Sequence, residues 1–126
     1  MITRIDNNQW VKKFFVENSN YDDGSIVLNC PICKEIDECS NSIHPISIGI
    51  NPAGQANGNI IVDYDGIHRD TTIKPNGRGV KIDMFFTGEC GHGFILTFQF
   101  HKGQTTCELY DHDLPGNNEL PTLWRD

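Results

Sequence analysis

The chain lacks any run approaching the roughly 18 apolar residues that a membrane-spanning helix requires. Its opening, Met1-Ile2-Thr3-Arg4-Ile5-Asp6, lacks the apolar stretch of a secretory leader. The expectation is a cytoplasmic protein with no membrane partner. Positive charge is scarce: 10 Lys and Arg residues stand against 17 Asp and Glu residues, for a formal charge of −7. That balance opposes indiscriminate binding to phosphate backbones, although it permits a local basic surface. Five cysteines cannot all pair with one another, and a reducing compartment would keep them as thiols available to metal. No internal repeat or linker divides the 126 residues, so one domain over 1–126 is expected.

The 12 glycines favour many turns over long helices. A short amphipathic helix is expected from near Gln9 to near Asn18, capped by Asn7 or Asn8, with Trp10/Phe14 and Val11/Phe15 at i, i+4 spacing. Elsewhere the period is two. Ser25 to Asn29 reads as a strand leading into Cys30-Pro31-Ile32-Cys33, and Ile46, Ile48 and Ile50 alternate with Ser47 and Gly49. Ile60 to Tyr64 and Gly66 to Arg69 suggest two more strands around Asp65-Gly66. Val80, Ile82, Met84 and Phe86 share one face, as do Phe94, Leu96, Phe98 and Phe100, which together read as a hairpin. Thr105 to Tyr110 follows as a third strand after Lys102-Gly103, and the tail from about 112 to 126 is expected to be mobile unless Leu120, Leu123 and Trp124 dock it. The fold class is mainly β (α+β).

A Cys-x-x-Cys turn places two thiolates within reach of one ion, and a tetrahedral zinc needs two more donors, usually from a second turn distant in sequence. Cys30 and Cys33 supply the first pair, and the glycine-rich hairpin tip Thr87-Gly88-Glu89-Cys90-Gly91-His92-Gly93 offers Cys90. His92, on the same turn, is the first choice for the fourth ligand. His44 is the alternative, Cys39 is third, and Cys107 reads as a core residue.

Here the sequence resembles a known family. Cys30-Pro31-Ile32-Cys33, the run Gly79 to Phe86, Glu89-Cys90 and His101-Lys102-Gly103-Gln104-Thr105 are similar to small uncharacterised zinc-ribbon proteins common in phages and prophages. Their pattern runs CPxC, a hydrophobic strand, CxxC, a second strand and HKGxT. The resemblance covers about a third of the chain, and it implies a zinc-ribbon-like antiparallel sheet with a short N-terminal helix, structural Zn2+ and a mobile-element setting in a bacterial host. Thr87 stands where the family's second motif has its first cysteine, so the fourth ligand must come from elsewhere.

Four protein ligands leave a zinc no open position, which favours a structural site and a non-catalytic protein. Asp111-His112-Asp113-Leu114-Pro115 resembles part of the HNH nuclease pattern, but no histidine follows His112 and a polar turn is the simpler reading. His68, Arg69, Lys74, Arg78 and Lys81 form a basic stretch near Tyr64 and Phe85, a candidate nucleic-acid contact diluted by Asp70 and Asp83. The acidic balance and the phage resemblance favour a host-protein partner, such as a defence nuclease of the CRISPR-effector kind, over nucleic acid.

Overall fold

The alternating segments of the sequence fold as strands in the computed structural model, which describes residues 2–15, 28–33, 43–52, 59–70, 79–112 and 123. The elements run β1 (Ile2–Ile5), α1 (Asn7–Phe14), β2 (Ile43–Asn51), β3 (Asn59–Asp63), β4 (Gly66–Asp70), β5 (Lys81–Gly88), β6 (Gly93–His101) and β7 (Gln104–His112). They form one seven-stranded sheet in the order β1-β7-β6-β5-β2-β3-β4, with every neighbouring pair antiparallel. The protein is mainly β with one short helix. No helix among the described residues is long and apolar enough to cross a membrane.

Residues directly opposite one another in an antiparallel ladder share a face. Phe86 lies opposite Phe94, Met84 opposite Leu96, and Leu96 opposite Leu109. One side of the central strands is therefore continuous hydrocarbon. Helix α1 covers it with Trp10 and Phe14, both buried, while Val11 and Phe15 remain outside. The rings interlock: Phe14 meets Phe94 edge to face at 6.2 Å, and Phe86 stacks on Phe94 at 5.1 Å.

Three local expectations change. The helix is capped by Asp6, whose carboxylate accepts from the Asn8 amide at 2.8 Å, because β1 delivers the chain to that residue in an extended conformation. Asn7 instead accepts from the Trp10 indole at 2.8 Å, and the helix ends at Phe14. Leu28 and Asn29 are not strand residues: the Asn29 amide donates to the Phe14 carbonyl at 3.1 Å rather than to a ladder. Residues 25–27 lie outside the described residues. Strand β7 runs on through Asp111 and His112, because β1 supplies a partner there, with Ile2 opposite His112. The pattern Asp111-His112 is thus the end of a strand and not a turn.

The opposite face pairs Phe85 with buried Ile95 and is otherwise knit by polar side chains. Thr97 donates to Asp83 at 2.6 Å, and Tyr110 donates to Glu108 at 2.6 Å, a bond that pushes the phenol up to about 12. Arg4 lies 3.3 Å from the same Glu108 carboxylate. At the β3–β4 turn, Asp63 takes bonds from His68 and from the Asp65 amide, which hold its carboxyl below the usual range. The β6–β7 turn uses Lys102 and Gly103 at φ of 50° and 80°, the two left-handed positions of a type I′ hairpin. The Leu123 amide donates to Pro45 at 2.7 Å, on a part of β2 that β3 does not pair with.

Phe94 is fully buried whereas Phe100, on the same strand and face, is 39% exposed. Phe94→Ala is expected to cost about 3–5 kcal/mol, and Phe100→Ala less than about 1 kcal/mol. Urea-unfolding midpoints of the two variants, compared at unchanged slope, check this ordering.

Candidate metal centre

Two segments far apart in sequence build the site. The first is the turn at Cys30 to Cys33, tied to the end of α1 by the Asn29 amide on the Phe14 carbonyl. It packs Ile32 and Leu28 against the core, and Cys30 and Cys33 are fully buried. The second is the β5–β6 turn. The Gly88 amide donates to the His92 carbonyl at 2.8 Å and the Gly91 amide to the Gly88 carbonyl at 2.9 Å, with Gly91 at φ 92°. Glu89 and Cys90 occupy the middle of that turn, which aims Cys90 back at the first segment.

The structure brings Cys30, Cys33, Cys90 and His92 together, with their four donor atoms all within 4.8 Å of one another. His92 Nδ1 lies 3.4 Å from Cys90 Sγ, 3.5 Å from Cys33 Sγ and 3.7 Å from Cys30 Sγ. Hydrogen bonding does not account for this convergence. One ring nitrogen offers a single proton or a single lone pair, and so serves one sulfur and not three. A shared cation satisfies all four donors at once, and the group could hold a metal ion.

The electrostatics point the same way. Without a cation, burial pushes the Cys30 thiol up to about 11; backbone bonds from Ile32 and Cys33 oppose the rise, while the hydrogen bond and charge of Cys90 add to it. Three thiolate charges held within 4.8 Å of one another would repel, and a shared cation would offset that repulsion.

His44 is not one of the four. It sits on β2 opposite Thr87, and its Nε2 lies 3.5 Å from Glu89. Thr87 itself, buried on β5, has Gly93 and His44 as its cross-strand neighbours, on the side of the sheet away from Gly88. Cys107 is half-buried on β7 opposite Phe98 and packs against the core. Cys39 lies outside the described residues.

The basic stretch is divided. Arg69 lies in a row with Ile60, Ile50 and Ile82, so Lys81, the neighbour of Ile82, points to the other face. Lys81 is also 3.8 Å from Asp83. Lys74 and Arg78 lie outside the described residues. His112, at the end of β7, meets the Phe85 ring at 6.1 Å, and its buried Nδ1 has no hydrogen-bond partner among the described residues.

Sequence reasoning placed Gly88 among the glycines of the hairpin tip but missed its close approach to Cys90 and Cys30. A Cβ built there would lie 2.9 Å from Cys90 Sγ, 3.6 Å from Ile43 and 3.8 Å from the Cys30 Cβ, so only a hydrogen fits between strand and ligand. The signal was present as a glycine two residues before a ligand cysteine, but its neighbours come from three segments.

Comparison with protein-family models, with curated proteins and with solved structures finds no match to this chain. Its chemistry is therefore argued from its own residues. Gly88→Ala should displace Cys90 Sγ and weaken metal binding by about tenfold or more, read by competition with a chromogenic chelator. Retained affinity would show that the Cys90 position is not critical.

Proposed function

We propose that the chain is a non-catalytic protein built around one structural Zn2+ held by Cys30, Cys33, Cys90 and His92, and that it acts by binding another protein. One observation carries the zinc reading. Metal–sulfur bonds of ~2.3 Å and a metal–nitrogen bond of ~2.05 Å at tetrahedral angles set each sulfur-to-nitrogen edge at about 3.5 Å. The three edges measured here are 3.4, 3.5 and 3.7 Å. Three thiolates and one imidazole are also a donor set suited to zinc. With four protein donors the ion has no position for water or substrate, so it fastens segments together.

The formal charge of −7 supports a protein partner over nucleic acid, as does the division of Arg69 and Lys81 between opposite faces of the sheet. A phosphate backbone is best met by one continuous basic surface. An acidic domain suits a basic protein surface, and the likeness of the cysteine and HKGxT motifs to phage zinc ribbons suggests a host protein that normally receives DNA. Inhibition of a host defence nuclease, such as a CRISPR effector, is the concrete form of this reading.

Protein purified without chelator should carry close to one zinc per chain by elemental analysis, and less than half an equivalent would overturn the assignment. His92→Ala should lose the metal while His44→Ala keeps it. Each thiol must shed a proton to bind zinc, so affinity falls as pH drops, and chelation should lower the melting temperature because metal-binding energy is folding energy. For the partner, no binding to duplex DNA or RNA at about 50 mM salt is expected. Tight binding that collapses with added salt and is abolished by Arg69→Ala would overturn the protein-partner reading.

A further inference from the structure

The three cysteines of the metal centre are not equally accessible. Cys30 and Cys33 are wholly buried beneath the turn that carries them. Cys90 is only partly buried, and its neighbours Glu89 and Gly91 are both exposed. Among the described residues nothing lies within 4 Å of the side-chain position at Gly91. A small oxidant arriving from solvent therefore meets Cys90 first.

The sulfur behind it is that of Cys30. The side-chain position at Gly88 lies 2.9 Å from Cys90 Sγ and 3.8 Å from the Cys30 Cβ, so these two cysteines meet over the same glycine, and their Sγ atoms lie within 4.8 Å. A disulfide requires them to close to ~2.05 Å. Gly88 stands before Cys90 and Gly91 and Gly93 after it, which lets the backbone of the turn follow such a movement.

We propose that Cys90 is a peroxide-reactive site and that Cys30 resolves it, so that oxidation exchanges the zinc for a Cys30–Cys90 disulfide joining the same two segments. This rests on the structural-zinc reading. The Cys90 thiolate attacks one oxygen of hydrogen peroxide, the O–O bond breaks, and Cys90 becomes a sulfenic acid as hydroxide leaves. The Cys30 thiolate then attacks the Cys90 sulfur, the S–O bond breaks, and a second hydroxide leaves. The two thiolates have lost two electrons, peroxide has been reduced to two hydroxides that take up protons as water, and zinc departs with two of its four donors gone. A disulfide between Cys30 and Cys33 would also expel the metal but would leave the β5–β6 turn unfastened. The Cys90 route keeps the cross-link.

The experiment uses the full chain with Cys39→Ser and Cys107→Ser, which leaves only the three cysteines of the centre. Zinc-loaded protein is treated with hydrogen peroxide while a chromogenic chelator reports release, and samples are digested without reduction for mass spectrometry. Fragmentation at the Cys30–Pro31 bond separates links through Cys30 from links through Cys33. The expected result is zinc release in step with a Cys30–Cys90 link. Oxidised protein should melt at a higher temperature than reduced, chelated protein, and dithiothreitol with zinc should restore the starting state. Zinc release with a link to Cys33, or with no disulfide, overturns the proposal, as does zinc retained at a large excess of peroxide. Absence of zinc before peroxide is added would sink the zinc reading instead, and the position of the disulfide would still decide the modification.

Discussion

Three buried or half-buried sulfurs meet one imidazole nitrogen, and much of the molecule is arranged around that meeting. The contact joins residue 30 to residue 90, a closure whose entropic cost grows only with the logarithm of the loop. The cost is moderated further because β2 to β5 lie within the loop and are themselves paired. The centre therefore tightens a sheet that already exists. It also fixes what the sheet cannot reach. The Cys30 turn belongs to no strand, and its attachments include the Phe14 carbonyl, the hydrophobic side chains beneath it and the donor cluster.

The site and the core are mechanically one. Phe94 follows His92 by two residues and stacks on Phe86, which precedes Gly88 by two. A shift at the β5–β6 turn is thus felt at once in the ring stack under α1, and the reverse holds as well. The polar contacts of the opposite face take little part in this coupling. These contacts, such as Thr97 with Asp83 and Tyr110 with Glu108, run between neighbouring strands or along one strand and set register more than packing.

Much of this was legible in the residues. Alternation alone marked β2, β5 and β6, because each presents one apolar face to a core and period two is hard to mistake over eight residues. Cys30 and Cys33 declared themselves by spacing, and Cys90 with His92 by their place on a glycine-rich tip. Other features are set by tertiary partners and leave no local trace. Strand β1 carries Thr3 and Arg4 between its two isoleucines and exists because β7 offers it an edge. The last two residues of β7 are strand for the same reason, although Asp111-His112 reads as polar punctuation. The choice of Asp6 over Asn7 as helix cap depended on where β1 ends. The division of Arg69 from Lys81 needed the ladder register, since a basic stretch in sequence says nothing about which face each residue takes.

Strand order carries one more consequence. Ile2 pairs with His112 and Ile5 with Leu109, so the first strand of the sheet is completed by its last. A chain leaving the ribosome presents β1, Trp10 and Phe14 well before β6 and β7, the surfaces that bury them, have been made. These hydrophobic residues must wait until β6 and β7 have been synthesised, in the interval when unpaired edges and uncovered rings are most prone to aggregate. The sheet consequently closes only once β7 has been made, and the turn at Cys90 forms before the strand that pairs with β1.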